Sequence, residues 1–471
     1  MRVLLINPPD RNTVEFSLPK AVNKAEVFGC YPPLGLLYVA GAAEQVPGTT
    51  VTVIDAVAEK LNYQQLEARI ADIQPQVVGI MALTLTMVDV IKTAEVVKRV
   101  NKSIHVCLGG PHLGIYPEET VRLPMVDSVV KGEGEQPFKE LLECLLSGRD
   151  LAAVKGVLFK KDGNIIRAED RGFVQDLNAL PMPARHLTNL SHYWSVLAHA
   201  PMITTLMTSR GCPFRCVFCD RPNVGKIYRT RSPANIADEM EQCLKMGIGE
   251  FFFYDDTFSI DKRRALGLCE ELTRRKLDVI WDIRARVDTV DRELLRALKK
   301  AGCTRIHFGV EAGTDSVLRA LKKGTTVEQV RATFRACKEL KIETLGYFIM
   351  GNPTETREQM LETIKLMKEL DPDTVHVSVM APLPATELYT DWLQGGGRHD
   401  IWKEFAENPR RDFQVPLWEE KLNREELVDM MNRAYKEFYL RPSYILKQTL
   451  KARSLGEIKR KAVGGLSLLK L

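Results

Sequence analysis

Short apolar segments alternate with helix-length segments along two long stretches of the chain, and this alternation is the strongest limit on the fold. In the first stretch the apolar segments are VLLIN (3–7), VTVID (51–55), VVGIMAL (77–83), HVCLGG (105–110) and DSVVKG (127–132). Near-continuous apolar strands separated by helices are typical of a parallel sheet covered on both faces. The sequence therefore predicts an α/β fold that begins with a doubly wound parallel sheet, over residues 1–147.

The second stretch repeats the alternation over residues 201–395. Its apolar segments are ITTLMTS, EFFFYDD, DVIWDIRAR, TRIHFGVEA, TLGYFIMG and TVHVSVMAP. A closed barrel of this type needs eight β/α units, and six are present, so we predict a partial (β/α)6 barrel. Between the two α/β domains, residues 148–200 are expected to form a linker with a hairpin around Asp162 and Gly163.

The alternation stops after the barrel, and residues 396–471 are predicted to be a helical, basic C-terminal region. The last 31 residues hold eight Lys or Arg and one Glu, beside apolar residues at helical spacing. Two interpretations stay open. The basic side chains form a solvated helix face, or the segment docks on anionic lipid at a membrane surface.

Composition excludes some classes of protein. The net charge of +5 over 471 residues is too small for a nucleic-acid footprint along the whole chain. No stretch reaches the ~18 uncharged apolar residues of a membrane span, and the first residues are interpreted as a strand and not a signal peptide. Ten cysteines in a large chain without a signal peptide argue against a disulfide framework, so a cytoplasmic protein is expected, with peripheral membrane contact an open alternative.

Three cysteines lie close together in RGCPFRCVFCD, residues 210–220. Thiolates are the usual ligands of iron-sulfur clusters, and this spacing lets one loop hold three corners of a four-iron cluster. A structural zinc site normally has four protein ligands, and the next cysteine, Cys243, lies 24 residues further on. The loop therefore favours a cluster over a zinc site or three ordinary core cysteines.

The pattern Cys-x3-Cys-x-aromatic-Cys, with Phe218 as the aromatic residue, resembles the signature of radical S-adenosylmethionine (radical SAM) enzymes. The resemblance implies that Cys212, Cys216 and Cys219 ligate a [4Fe-4S] cluster, with Phe218 beside SAM. It also implies that the fourth iron is left for the amino and carboxylate groups of SAM. An electron from the cluster then breaks a carbon-sulfur bond of SAM to give a 5′-deoxyadenosyl radical.

The resemblance continues along the barrel, in the expected order. It implies that Asp255 and Asp256, after the second strand, contact the methionine amino group. Arg284 or Arg286 of the third strand is expected to pair with the methionine carboxylate. Glu311, at the end of the fourth strand, is expected to contact SAM as well.

The first domain has three segments at the carboxyl ends of its strands, where doubly wound sheets bind ligands: ALTLTM, GGPHLGIYPEE and KGEGEQPF. With the cysteine loop, the segments YPPLGL, GGPH and GEGE resemble the cobalamin-binding half of the B12-dependent radical SAM family. The cobalamin contacts that this implies are Thr84, Gly109, Gly110, His112, Glu133 and Gly134. The Asp-x-His-x-x-Gly motif that supplies a histidine ligand to cobalt is absent, so His112 is not expected to be the lower ligand. A domain that has kept the fold and lost the cofactor is the alternative.

The resemblance implies an enzyme with a [4Fe-4S] cluster, SAM and cobalamin that modifies an unactivated carbon, most simply by methyl transfer. Oxidation, cyclisation or ring contraction is an alternative, because FYLRPSYIL (438–446) resembles a segment of the anaerobic magnesium-protoporphyrin cyclase. A non-catalytic cobalamin or iron-sulfur sensor is an alternative of another class. The expected partners are a small-molecule substrate, with a lipid or isoprenoid among the candidates, and an electron donor such as flavodoxin or ferredoxin, without nucleic acid.

Overall fold

A computed structural model describes residues 1–14, 29–220, 223, 225–395 and 399–451 of the chain. Within these residues the chain forms two large sheets packed against helices, two short two-stranded sheets, and a helical C-terminal region. Residues 452–471, which hold most of the predicted basic tail, lie outside the described residues.

The first eight strands include seven that form one sheet. They are β1 (Arg2–Asn7), β2 (Gly29–Cys30), β3 (Thr50–Asp55), β4 (Val77–Met81), β5 (His105–Gly109), β6 (Ser128–Val130), β7 (Val157–Lys161) and β8 (Asn164–Arg167). The sheet order is β3-β1-β4-β5-β6-β7-β8, parallel from β3 to β6. The strand order reverses between β1 and β4, so the switch point predicted to bind a ligand lies at the carboxyl ends of these two strands.

Helices cover both faces of this sheet, which confirms the doubly wound arrangement. They are α1 (Leu34–Glu44), α2 (Tyr63–Ile73), α3 (Met87–Val100), α4 (Pro117–Arg122) and α5 (Glu135–Ser147). Successive strand residues point to opposite faces. Accordingly Leu4 of β1 shares one core with Leu66 of α2, whereas Leu5 shares a second core with Leu141 of α5.

The hairpin predicted in the linker is present, but it belongs to the first sheet. Asp162 and Gly163 both have positive φ, 49° and 79°, and form the turn between β7 and β8. Strand β7 pairs antiparallel with β6. The sheet therefore continues to Arg167, past the boundary expected at residue 147, because the edge of β6 offers unpaired backbone groups that the hairpin satisfies.

The second large sheet has six parallel strands in chain order, as predicted for the partial barrel. The remaining strands of the structure are β9 (Trp194–Ser195), β10 (Ile203–Leu206), β11 (Ser209–Arg210), β12 (Arg229–Thr230), β13 (Glu250–Phe253), β14 (Ile280–Ala285), β15 (Cys303–Glu311), β16 (Glu343–Met350) and β17 (Thr374–Val379). Strands β10 and β13 to β17 form the barrel sheet. The intervening helices are α6 (Pro233–Lys245), α7 (Lys262–Arg274), α8 (Arg292–Lys300), α9 (Asp315–Ala320), α10 (Val327–Glu339) and α11 (Arg357–Leu370).

The two faces of the barrel sheet differ in burial. On β17 the three valines at 375, 377 and 379 are buried beneath the helices, whereas Thr374, His376 and Ser378 are only half-buried. The same alternation recurs at Tyr347 and Ile349 of β16. The inner face of the barrel, opposite the helices, is therefore open to solvent over part of its surface.

The two α/β halves are joined by a buried ion cluster. Glu239 of α6 lies 2.6 Å from Arg185 of the connecting segment and also contacts Arg231. Arg231 donates a hydrogen bond of 3.3 Å to the hydroxyl of Tyr38 on α1. Burial alone would raise the pKa of Glu239, but the two guanidinium groups outweigh it and hold this pKa below its ordinary value.

The C-terminal region covers the last strand of the barrel. It consists of α12 (Glu387–Gln394), α13 (Ile401–Glu407), α14 (Arg424–Tyr439) and α15 (Pro442–Lys451). The hydroxyl of Tyr435 accepts from the backbone nitrogen of Val377 and donates to its oxygen, at 2.9 and 3.1 Å. Tyr439 makes the same pair of bonds with Val375. Residues four apart on α14 therefore satisfy the open edge of β17, as a further strand would.

Candidate active site

The cysteine loop, residues 210–220, follows β10 at the carboxyl edge of the barrel sheet. Cys212, Cys216 and Cys219 are half-buried free thiols. The loop is anchored at its middle, because Val217 donates to the Leu321 oxygen at 3.2 Å and accepts from the Leu388 nitrogen at 3.0 Å. These bonds hold the loop against two separate parts of the barrel.

The two aspartates after β13 brace the start of the loop. Asp255 is buried, and its oxygens accept hydrogen bonds from the Thr208 nitrogen and the Ser209 hydroxyl, each at 2.6 Å. Asp256 accepts from the Gly211 nitrogen at 2.9 Å and remains exposed. The Asp255 carboxylate is thus paired with donors of the protein, whereas Asp256 keeps an exposed carboxylate.

Two cations lie beside Cys216. The guanidinium of Arg286 is 3.8 Å from the Cys216 sulfur and stacks 3.7 Å from the ring centre of Phe214. Burial raises the pKa of Cys216, and the positive charges of Lys323 and Arg286 partly offset this effect. The site thus favours a thiolate at Cys216 more than burial alone would allow.

Glu311 ends β15 in a strained conformation. Its φ is +71°, a left-handed value that is unusual for a side chain of this size, and the pairing with β16 shifts register between Gly309 and Glu311. Its carboxylate forms a buried ion pair of 2.6 Å with Lys323. Gly309 leaves room for this pair, because a Cβ there would lie 2.3 Å from the Glu311 carboxylate.

Arg284 and Phe218 occupy different depths. Phe218 is half-buried within the cysteine loop and packs against the main core. Arg284 lies two residues before Arg286, which places it about 6 to 7 Å deeper along the strand. Its guanidinium stacks 4.1 Å from the ring centre of Tyr254 and donates to the oxygen of Phe253.

At the carboxyl edge of the first sheet, Thr84 and His112 contact each other. The Nδ1 atom of His112 lies 3.1 Å from the Thr84 hydroxyl, and the histidine is fully buried. Burial lowers the pKa of His112 to about 3, so its ring is neutral at pH 7. His112 therefore joins the two loops through Thr84, while its buried Nε2 atom has no hydrogen-bond partner among the described residues.

The segment GEGE, residues 132–135, joins this edge to the cysteine loop. Glu133 lies 2.9 Å from Arg229 and 3.1 Å from Arg210, and Glu135 also contacts Arg210. Arg210 is the first residue of the cysteine loop. The Glu133 carboxylate, predicted to contact cobalamin, is thus paired with two arginines, and Gly134 directly precedes helix α5. We call these four side chains the Arg210 clamp.

Sequence models of two families match the chain in the two halves just described. The radical SAM superfamily model matches residues 206–367, and the B12 binding domain model matches residues 20–142. An uncharacterized methyltransferase of Pyrococcus horikoshii is 32% identical over 470 residues, which cover 99% of this chain and 98% of that protein. The chain belongs to the B12-binding radical SAM family.

Two further comparisons agree with this family. The anaerobic magnesium-protoporphyrin IX monomethyl ester cyclase of Rubrivivax gelatinosus is 29% identical over 457 residues, covering 94% of this chain and 78% of the cyclase. The structure of the radical SAM methyltransferase TsrM from Kitasatospora setae superposes with a TM-score of 0.67 at 22% identity, covering 84% of this chain and 75% of TsrM. The second comparison shows the shared fold.

The cysteine loop fits the cluster of a radical SAM enzyme. Three thiols come from one loop, none of them in a disulfide, and a guanidinium approaches one sulfur within 3.8 Å. Donors to sulfur and a positive neighbour stabilise thiolate ligands. The edge of the first sheet fits the B12 domain in a similar way, because a Cβ on Gly109 would meet no atom within 4 Å and the backbone there is open to a ligand.

Sequence reasoning missed two residues of this site. Lys323 lies in LKKGTT, a loop without a recognisable pattern, and its partner Glu311 is 12 residues away. Arg210 adjoins the first cysteine, but its partners come from the other domain. Proximity to the motif was the available signal for Arg210, whereas no sequence signal marks Lys323.

Glu355, buried after β16, gives the structure a pH-dependent element. Burial raises its pKa from 4.5 to about 7. When a carboxyl group has a higher pKa in the folded chain than in the unfolded chain, the folded protein becomes less stable as the pH rises between those two pKa values. We therefore expect Glu355→Gln to be more stable than the wild type by up to about 3 kcal/mol at pH 8, with the advantage shrinking toward pH 5. Thermal unfolding between pH 5 and 8 measures this difference.

The control for Glu355 is Glu358→Gln, three residues further on. Glu358 is exposed at the start of α11, so the same loss of charge should not reproduce the pH trend. An advantage of Glu355→Gln that is constant between pH 5 and 8 would contradict the assignment.

Proposed function

We propose that this chain is a cobalamin-dependent radical SAM methyltransferase that acts on an unactivated carbon of a small molecule. The Arg210 clamp is the observation that carries the proposal, because it ties the cysteine loop to the edge of the B12 domain. Methyl transfer of this kind needs both cofactors to face one substrate. The relative from Pyrococcus horikoshii, similar over nearly the whole chain, is named a methyltransferase, which supports the same reaction class.

In this proposal each side chain of the site has a separate role. Cys212, Cys216 and Cys219 hold the cluster, and Arg286 neutralises charge at the Cys216 sulfur. When bound, the cluster supplies the electron that cleaves SAM, and cobalamin supplies the methyl group. Asp256, with an exposed carboxylate, is assigned to the methionine amino group. Glu311, Arg286 and Phe218 surround the same end of the barrel.

The first domain is assigned to cobalamin through its open edge. Thr84, Gly109, Gly110 and Gly134 lie at or beside the carboxyl ends of β4 to β6 and are the proposed contacts. His112, also predicted as a contact, is buried beside Thr84 and has an Nε2 atom that is unpaired within the described ranges.

A second candidate is an oxidative or cyclising reaction, favoured by the likeness to the magnesium-protoporphyrin cyclase over 94% of this chain. Anaerobic purification followed by iron, sulfide and cobalamin analysis tests the cofactors together. Reduction in the presence of SAM should then release 5′-deoxyadenosine. The mass of the product separates the reactions, since a gain of one methylene unit indicates methyl transfer, and a loss of hydrogen or a gain of oxygen excludes it. A redox partner that reduces the cluster completes the proposed system.

For the location of the substrate we propose contact with a membrane surface through α15. Ile445, Leu446 and Leu450 are 51%, 61% and 78% exposed on this short helix. Its basic residues point elsewhere, because Lys447 and Lys451 pair with Asp371 and Asp373 at 3.0 and 2.6 Å. Attraction to anionic lipid would therefore come from residues 452–471. No helix in the described part of the chain is long and apolar enough to cross a bilayer.

We expect the intact protein to float with vesicles that contain anionic phospholipid. Replacing Ile445, Leu446 and Leu450 together by serine should weaken this binding about tenfold or more, because apolar burial at the interface is lost. Vesicle flotation at several salt concentrations measures it. The matched control is Leu146→Ser, which changes a leucine that is 43% exposed on the other domain. Absence of flotation by the intact chain would remove the membrane proposal.

A further inference from the structure

Arg284 is a cation of the inner barrel face that Asp282 attracts without a direct ion pair. The other charged side chains nearby are paired: Arg305 with Asp282 and Glu343, Lys323 with Glu311, and Arg286 with Asp288. Arg284 makes no ion pair within 4 Å in the described ranges of the chain. Its side chain is half-buried on this face. A cation held in this way favours an anionic ligand.

Polar and aromatic groups surround Arg284, and both Tyr254 and Tyr347 interact with its guanidinium. One wall is the ring of Tyr254, and the ring of Tyr31, from the first domain, lies 6.0 Å from it. On the other side Tyr347 is half-buried, with its hydroxyl 3.2 Å from His307. His307 is in turn 3.1 Å from Asp282. The tyrosine hydroxyl is thus held in place by a buried chain of polar groups.

Arg284 of β14 and Arg286, just after this strand, face different environments. Arg286 contacts the cysteine loop, while Arg284 lies deeper and contacts Tyr254. Arg286 therefore belongs to the cluster end of the site. Arg284 can contact a molecule bound on the inner face of the barrel, farther from the cysteine loop.

We propose that Arg284 docks an anionic group of the substrate, a carboxylate or a phosphate, between Tyr254 and Tyr347. The inference rests on the proposed function for the existence of a substrate, and it adds the chemical class. A hydrophobic substrate that carries an acidic group is consistent with this class. Tyr31 brings the B12 domain to within 6.0 Å of the Tyr254 ring, so the anchored substrate would lie beside both domains.

Chemical labelling tests the site without knowledge of the substrate. The reconstituted holoenzyme is treated with phenylglyoxal, which modifies accessible arginines, and Arg284 is followed by peptide mass spectrometry. Benzoate and phenyl phosphate are the probes, and benzamide is the uncharged control of the same shape. We expect one or both anions to slow modification of Arg284 about tenfold, because a charge-assisted hydrogen bond occupies the guanidinium. Arg122, whose side chain is 64% exposed, should react equally in all cases.

The pattern of protection identifies the anion. Protection by benzoate alone indicates that the site binds a carboxylate, and protection by phenyl phosphate alone indicates that it binds a phosphate. Protection by both probes indicates that the site binds either anion. Equal labelling with benzamide and with the two anions would overturn the inference. Protection by SAM in place of the anions would also overturn it, because Arg284 would then belong to the cosubstrate.

A second measurement separates this inference from the proposed function. Release of 5′-deoxyadenosine by the reduced wild-type holoenzyme, without substrate, tests the proposed function independently of Arg284. Loss of cleavage in the wild type would refute the proposed function, and the labelling result would still decide on Arg284.

Discussion

Replacing Cys216 by alanine is expected to abolish the radical chemistry. Cys216 supplies one of three thiols in a loop that has no substitute cysteine, since Cys243, the next in the chain, is buried in α6. With two ligands left, the cluster should not be retained. We expect iron and sulfide after reconstitution to fall to background, and 5′-deoxyadenosine production to fall about 10³-fold or more, equivalent to about 4 kcal/mol in activation free energy.

The matched control is Cys30→Ala. Cys30 is also half-buried and free, but it lies in the short strand β2, away from the loop. This variant should bind as much iron as the wild type. The interpretation of the loop fails if Cys216→Ala retains full iron and sulfide together with the rate of SAM cleavage of the wild type.

Replacing Glu239 by alanine is expected to cause the largest loss of stability. The substitution leaves Arg185 and Arg231 buried at the junction of the two α/β halves without their shared carboxylate. Breaking a buried pair by removal of one partner costs about 3–5 kcal/mol, because the remaining charge is uncompensated. Calorimetric thermal unfolding of the cofactor-free protein measures the effect as a lower melting temperature.

Glu241→Ala provides the comparison on the same helix. Glu241 is 43% exposed and pairs with Lys245 at 3.6 Å and with Arg275 at 3.3 Å, so its removal should cost less than about 1 kcal/mol. The pH dependence gives a second check. The pKa of Glu239 lies below its ordinary value of 4.5 in the folded chain, so its contribution is present above that pH and is lost in stronger acid. A difference between wild type and Glu239→Ala that persists unchanged at pH 3 would contradict this origin.

The sequence predicted strands and helices well because both large sheets are mainly parallel and packed against helices. Buried strands such as β4 appear as continuous apolar runs, and the intervening helices have the length needed for crossover connections. The hairpin was found from Asp162 and Gly163, but its place in the first sheet was not. Which strand edge receives a hairpin depends on tertiary pairing, for which a single sequence has no signal.

Side-chain partners were the least predictable part of the site. Asp255 and Glu133 occupy motif positions, yet the carboxylates of both are paired with other side chains or backbone groups of the protein. Their partners are far along the chain, since Glu133 and Arg229 are 96 residues apart and Asp255 and Thr208 are 47 apart. Spacing within a motif indicates which residues gather at an edge. It does not indicate which of them keep a free oxygen for a ligand.

The two tyrosines of α14 have a consequence for synthesis of the protein on the ribosome. Tyr435 follows Val377 by 58 residues and Tyr439 follows Val375 by 64, so the last barrel strand is complete well before the residues that cover its edge exist. At about 5–20 residues per second this interval lasts several seconds. During that time the nascent chain carries an open strand edge that can pair with other chains. Premature termination between residues 380 and 434 should therefore yield products that depend on chaperones to stay unaggregated.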